Sequence, residues 1–313
     1  MRILLVKTSS LGDVIHNLPV VTDLRTRFPD ASIDWVAEEG FADIPRLHPG
    51  VRHVIPVALR RWRKSLLAPA TWGEIGAFRA ALKEQIYDLV IDTQGLLKSA
   101  LIARMARGKH CGYTPNAARE ALAAHFYDAC FDVPQELHAV LRNRQLAALA
   151  GGYAAAPAPD YGIAVPSAPT STGPTAVLLT ATSRDDKLWP EERWIEVGQA
   201  LHERGLKSLL PAGSAMERER AARIAQAIPG AGILPPMRLA ELAGQLAAAR
   251  IVVGVDTGLV HLAAALGRPV VALFSASDPA LTGVLASTPA FNLGSRGQPP
   301  SVGDVLAAAL PLV

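Results

Sequence analysis

Ile251 to Phe274 reads IVVGVDTGLVHLAAALGRPVVALF. Its first five residues form a β-branched run that predicts a buried parallel strand, and Asp256-Thr257-Gly258 turns that strand into an apolar helix that Gly267 can end. Asp256 or Thr257 can cap the helix, and Gly258 lets backbone approach a ligand closely. The free amides and the positive dipole end then face any anion lying above the strand. His261, three positions after Gly258, falls about one helical turn deeper on the same side. A capped helix with a packed histidine is also an ordinary αβ feature, so the neighbouring segments have to decide between the two.

A second strand-like run, Ala176 to Leu179, ends in Thr180-Ala181-Thr182-Ser183-Arg184-Asp185-Asp186-Lys187-Leu188-Trp189-Pro190, followed by a helix over Glu191 to Leu201 with Pro190 near its first turn. Hydroxyls and a cation again stand at a strand's carboxyl end. In an open parallel sheet ligands bind just outside those ends, so both loops are expected to face one crevice.

The alternation extends over the whole chain. Arg2 to Lys7 predicts a strand, Thr8 to Asp13 a small-residue turn, and Val14 to Phe28 a helix that Pro19 bends or restarts. Ser32 to Val36 and His53 to Val57 predict further strands, the latter leading into Leu59-Arg60-Arg61-Trp62-Arg63-Lys64. Helix Glu74 to Gln85, strand Asp88 to Asp92, helix Leu96 to Arg107 and strand Lys109 to Tyr113 follow. Gly151 to Thr175 loses all periodicity and is rich in Pro, Gly, Ser and Ala. Beyond it come strand Lys207 to Leu210, helix Ala215 to Ala227, a short strand near Ile233 and helix Leu239 to Ala249. The reading is α/β, with two Rossmann-like domains: 1–155, a linker over 156–174, and 175–313. The last helix, Val302 to Leu310, could pack on either half.

With 313 residues, half of them hydrophobic, the chain can bury two cores. Net charge is only +3, divided unevenly: residues 1–150 hold 19 Lys+Arg against 15 Asp+Glu, the remainder 12 against 13. That surplus is too small for nucleic acid but suits an anionic substrate or membrane surface met by the first half. Cys111 and Cys130 have no CxxC spacing and are expected reduced and buried. Ile3 to Val6 is too short for a signal peptide, and no apolar run approaches the roughly 18 residues of a membrane span, so a cytoplasmic location is expected. GxGxxG after a strand, GxxxxGK[ST], HExxH and GxSxG are all missing, which argues against a Rossmann dehydrogenase, a P-loop NTPase, a zincin and a serine hydrolase. Nor is there a DxD pair to bridge a metal to a nucleotide diphosphate. The charge would then be met by Lys187, hydroxyls and helix N-termini, with no metal and no cofactor.

Six segments together carry a family resemblance: VKTSSLGDVIHNLP (Val6 to Pro19), WVAEEGF (Trp35 to Phe41), IPVALRRWRK (Ile55 to Lys64), IDTQGLLKSA (Ile91 to Ala100), ATSRDDKLWPEERW (Ala181 to Trp194) and VDTGLVHLAAALGRP (Val255 to Pro269). The chain resembles the lipopolysaccharide heptosyltransferases of glycosyltransferase family 9, and the RRWRK and WVAEEGF segments favour their heptosyltransferase I group. The resemblance implies a GT-B enzyme moving L-glycero-D-manno-heptose from ADP-L-glycero-β-D-manno-heptose to the inner Kdo of Kdo2-lipid A. It implies inversion at the anomeric carbon and a peripheral position on the cytoplasmic face of the inner membrane. The alanine-rich linker and the tail after Phe274 match weakly and receive no site.

By family position Asp13 is the general base; otherwise it only caps its own helix. Lys187 is expected on the diphosphate or heptose, Thr257 and Gly258 give amides to the diphosphate, Asp256 binds heptose hydroxyls, and His261 lies near the phosphates. Thr182 and Ser183 supply hydroxyls, or merely satisfy loop backbone. Alignment to the family adds Glu219 for the ribose and Met237 for the adenine; from the residues alone these are a solvated charge and a core filler. For the acceptor the candidates are Arg60, Arg61, Arg63 and Lys64, grouped around Trp62 as a site for anions or for a membrane surface, with Lys98 and Arg119 secondary. Two alternatives stay open: a paralogue that takes an already heptosylated core, and a sugar-nucleotide-binding module without transfer activity.

Overall fold

The computed structural model describes residues 1–165 and 173–313, and the chain divides into two compact units, Met1–Ile163 and Ala164–Val313. In the first unit the order is β1 (Arg2–Val6), α1 (Leu11–Ile15), α2 (Leu18–Arg27), β2 (Ser32–Glu38), α3 (Asp43–Arg46), β3 (Val51–Val57), α4 (Leu59–Trp62), α5 (Pro69–Glu84), β4 (Ile86–Asp92), α6 (Leu97–Ala103), β5 (Arg107–Tyr113), β6 (Ala129–Phe131) and α7 (Ala139–Gly151). The second unit runs β7 (Thr175–Leu179), α8 (Glu191–Glu203), β8 (Lys207–Leu210), α9 (Ala215–Gln226), β9 (Gly232–Ile233), α10 (Leu239–Ala248), β10 (Ile251–Val255), α11 (Gly258–Ala265), β11 (Val270–Leu273), α12 (Pro279–Thr282), β12 (Ala290–Leu293) and α13 (Val302–Ala309).

Each unit holds a six-stranded sheet, ordered β3-β2-β1-β4-β5-β6 in the first and β12-β11-β10-β7-β8-β9 in the second, with the paired strands parallel. This is the two-domain, Rossmann-like α/β architecture of the GT-B fold. Strand order reverses beside β1 and β4 in one sheet and beside β10 and β7 in the other, so the loops after those strands lie at the switch points where such sheets take ligands. The central strands β1 and β10 are almost wholly buried, as their unbroken apolar runs require. Gly254 in β10 has a packing reason: a Cβ there would stand 2.6 Å from Val260 Cγ1 and 2.7 Å from Leu179 Cβ. Any side chain would push α11 and β7 away from the strand.

Several expectations change. Pro19 restarts rather than bends the first helix, since it falls in the opening turn of α2. The helix expected to reach Arg107 ends at Ala103, and Arg107 begins β5. The linker does not begin at 156: Arg144 Nη2 donates to Ala156 O at 2.6 Å while its guanidinium pairs with buried Asp23, and Tyr161 is buried, so the first unit extends to Ile163. Residues 166–172 of the expected linker lie outside the described residues. The last helix, α13, packs within the second unit, where Val305, Ala308 and Ala309 join the core around Trp189 and Trp194. Of the cysteines only Cys111 is buried; Cys130 is exposed, because β6 is an edge strand.

Candidate active site

At the carboxyl end of β10, Asp256 is almost entirely buried, and its carboxylate gathers what the sequence scattered. Lys187 Nζ donates to Oδ2 at 2.6 Å, the Ser277 hydroxyl donates to the same oxygen, and His261 Nε2 lies 3.9 Å from Oδ1. Thr182 Oγ1 donates to the Asp256 carbonyl at 3.3 Å, and Ser275 Oγ to Asp186 O at 3.1 Å, which ties the loops after β7, β10 and β11 together. Burial would raise the Asp256 pKa; the neighbouring His261, the Lys187 ammonium and the Ser277 hydroxyl outweigh it and hold the carboxyl well below the usual carboxylate range. Asp256 therefore does not cap α11. Thr257 is the N-cap residue, in extended conformation and without a side-chain cap bond, so the first amides of α11 are not occupied by a capping side chain. An apolar eight-residue helix starting there presents its dipole's positive end beside a lysine, an arrangement that can hold a phosphate.

Ser183 is exposed in the same β7 loop. Glu219 is exposed on α9, and Met237 is a half-buried loop residue between β9 and α10, not a core filler. Ser277 was not found from sequence because it lies in the tail after Phe274. The signal was present nonetheless: Ser275-Ala276-Ser277 directly follows the apolar run Val270 to Phe274, the same strand-then-hydroxyl pattern that singled out Thr182.

The first unit has a comparable cluster after β1. Asp13 sits at the third position of α1, where Oδ2 accepts from Ser10 N at 2.9 Å and from Ser10 Oγ at 3.1 Å, while Arg119 Nη2 donates to Oδ1 at 2.8 Å. It thus closes a capping box as well as facing a cation. Lys98 Nζ reaches Ser9 Oγ at 3.2 Å, so both secondary acceptor candidates touch this turn or its carboxylate. Beneath lies Lys7, a buried lysine missed from sequence as the last residue of an apolar strand. It donates to Thr93 O at 2.8 Å and to Asn143 Oδ1 at 3.2 Å. Burial lowers its pKa to about 8, against the opposing pull of Asp13. For Asp13, burial pushes upward, and the Lys7 ammonium, the Arg119 guanidinium and the Ser10 amide hold the carboxyl well below its ordinary value. The adjacent turn is fixed by buried Asp92, which accepts from Ser99 Oγ and Tyr127 OH, both at 2.7 Å.

The basic segment forms a separate cluster after β3. Arg60 lies over the Phe41 ring, 5.1 Å from its centroid, and Arg61 is held by Glu39 at 3.0 Å and Glu74 at 2.8 Å. Arg60, Arg61, Lys64, Glu38, Gly40 and Phe41 line a cleft of about 330 Å³, so WVAEEGF and RRWRK meet in space. Trp62 contradicts its expected place among the cations at the surface. It is buried against Phe78, and its Nε1 donates to Glu74 Oε2 at 2.7 Å, because α4 turns the ring inward onto α5. Among the described residues no group of three or more His, Cys, Asp and Glu side chains could hold a metal ion, and no helix is long and apolar enough to cross a membrane.

Residues 75–304 match the sequence model of glycosyltransferase family 9 (heptosyltransferase). Lipopolysaccharide heptosyltransferase 1 of Escherichia coli (strain K12) is 47% identical over 288 residues, covering 90% of each chain, whereas lipopolysaccharide heptosyltransferase 2 of the same strain is 24% identical. Among solved structures, E. coli heptosyltransferase WaaC with ADP superposes with a TM-score of 0.94 at 42% identity, covering 100% of both chains. The same E. coli enzyme with ADP-2-deoxy-2-fluoro heptose gives 0.89 at 43%, covering 99% of this chain and 98% of that one.

Proposed function

The chain belongs to glycosyltransferase family 9, and from that premise we propose that it transfers L-glycero-D-manno-heptose from ADP-heptose to the inner Kdo of Kdo2-lipid A, the first heptose of the lipopolysaccharide core. The observation that carries this reading is the near full-length likeness to heptosyltransferase 1, about twice the identity found for heptosyltransferase 2.

In the proposed mechanism Asp13 accepts the proton of the attacking Kdo hydroxyl. That oxygen bonds to the anomeric carbon as the bond to the diphosphate breaks, ADP departs, and the configuration inverts. Support for Asp13 is that its carboxyl is held below its ordinary pKa by Lys7 and Arg119 and that it lies in the first turn of α1, just past the loop that follows central strand β1. Negative charge grows on the leaving diphosphate, where Lys187 and the amides at Thr257 and Gly258 stabilise it without a metal. Asp256 would take heptose hydroxyls while holding Lys187 in place, with His261, Thr182 and Ser183 around the phosphates. Glu219 and Met237 are assigned to the ribose and adenine by family position alone. Arg60, Arg61, Arg63, Lys64, Lys98 and Arg119 would meet the acceptor's carboxylates and phosphates.

The test is transfer from ADP-heptose to Kdo2-lipid A and, separately, to its heptosylated product. Turnover of the first alone is expected. Turnover of the second alone would make the chain a paralogue, and ADP-heptose binding with neither product would leave only a binding module.

A further inference from the structure

The basic cluster continues into a group of exposed apolar side chains. Leu67 is 100% exposed, Trp72 61% and Leu66 51%, all within seven residues of the chain. Loose ends of a flexible loop would need no explanation, but this segment is tightly hydrogen-bonded. Trp72 Nε1 donates to Leu66 O at 2.9 Å and Thr71 Oγ1 to Ser65 O at 2.8 Å, while the Ala68 amide donates to Ser65 O and the Thr71 amide to Ala68 O, both at 3.0 Å. Pro69 then starts α5. The turn holds its leucines outward, and ordering two leucines and a tryptophan against water is unfavourable unless something apolar covers them.

We propose that the Leu66-Leu67-Trp72 tip is a wedge that inserts into an anionic lipid bilayer, with Arg63 and Lys64 against the headgroups. Both cations are exposed and form no ion pair among the described residues, unlike Arg61, which Glu39 and Glu74 neutralise. Leucines beside a tryptophan next to basic residues match an interface with an apolar interior and an anionic rim. Trp72, not the buried Trp62, is the interfacial aromatic. A second copy of the chain suits the patch poorly: a symmetric contact would set Arg63 and Lys64 against their own equivalents, and three side chains fall far short of the ~1,000 Å² a specific interface needs.

The inference rests on the functional reading only in placing the substrate in a membrane. Its test is co-sedimentation of the full chain with acceptor-free vesicles, either phosphatidylcholine with phosphatidylglycerol or phosphatidylcholine alone. Partition into the anionic vesicles that weakens with salt is expected, falling at least about tenfold in Leu66→Ser/Leu67→Ser. Leu67→Ser alone, at a fully exposed position, is expected to give a smaller loss in the same direction and cannot disturb a core. Heptosyl transfer to a de-acylated, water-soluble acceptor should be unchanged in both variants. Undiminished vesicle binding by the double variant overturns the wedge, as does binding only when the vesicles carry acceptor. So does a dimer, seen by light scattering, that the leucine substitutions dissolve. If transfer to the soluble acceptor persists without vesicle binding, the wedge falls while the functional reading stands; if wild type fails to transfer at all, that reading falls separately.

Discussion

Asp13 and Asp256 each follow a central strand, each is mostly buried, and each faces a cation, yet the two pairs are built differently. Asp256 is bonded directly to Lys187, with side chains only 9% and 18% exposed. The direct partner of Asp13 is Arg119, 43% exposed, while Lys7 beneath it is tied to Thr93 and Asn143. In the second unit the ammonium is committed to a carboxylate, and a diphosphate bound there as proposed would have to share it. In the first, the guanidinium is nearly half-exposed, and the Lys7 ammonium beneath also faces the carboxylate. One arrangement suits holding a ligand, the other suits a group that must be reached by a hydroxyl.

The largest effect should come from Asp13→Asn, with kcat lower by about 10² to 10⁴ and ADP-heptose affinity within a few-fold. Asp256→Asn should instead act mainly on donor KM. Turnover near wild type in Asp13→Asn would reduce Asp13 to the capping role that its bond to Ser10 already performs, and the contrast between the two aspartates would collapse.

Lys187→Ala should be next, with turnover and donor affinity together down by roughly 10² to 10³ because a cation on the leaving group matters more as charge develops. It should also lower the unfolding midpoint, since Asp256 keeps a buried charge without its partner. Adding Asp256→Asn should recover stability and not activity. EDTA should leave the wild-type rate unchanged; activity lost to chelator and restored by a divalent ion would mean that the diphosphate is not neutralised by Lys187 and helix amides.

How these clusters were legible follows from what sequence encodes. Apolar runs ending in hydroxyls, glycines and charges marked Thr182, Lys187, Asp256 and the turn that leads to Asp13, whose role came from the family resemblance, because parallel sheets bring such loops to one edge. Partners contributed from far along the chain were not readable: Arg119 meets Asp13 across 106 positions, and Ser277 meets Asp256 from a segment that matched the family weakly. Lys7 and Trp62 were misjudged for different reasons: Lys7 drew no notice as the end of an apolar strand, and Trp62 was grouped with the cations beside it, yet both side chains are buried, Trp62 against Phe78 of α5.

A smaller effect tests the acceptor side. Replacing Arg60, Arg61 and Arg63 by Ala should raise acceptor KM about tenfold and flatten its salt dependence, with donor affinity nearly unchanged. Because Arg61 also neutralises Glu39 and Glu74, Arg60→Ala/Arg63→Ala is the cleaner pair. Loss of donor affinity with acceptor KM intact would break the proposed division of labour between the units.

A last test separates the two lysines by stability, a quantity apart from activity. Lys7 has carbonyl oxygens, not a carboxylate, as its bonded partners, and its folded pKa is about 8 against an ordinary 10.5. Between those values the unfolded chain binds more protons than the native one, so this group makes stability rise with pH, by at most about 1.4 kcal/mol per pH unit. Below about pH 8 both states are protonated and the cost of the buried ammonium is constant; above about 10.5 both are neutral and the rise ends. Lys7→Met keeps the length and removes the titration. Urea unfolding of both proteins at about pH 7 and about pH 10 should show wild type gaining on the variant as pH rises, while tyrosines and other groups common to both cancel in the difference. A constant difference would mean that Lys7 binds its proton alike in the folded and unfolded chain. Lys7 would then stand beneath Asp13 as a full ammonium, and the Lys7–Asp13 arrangement would come closer to that of Lys187 and Asp256.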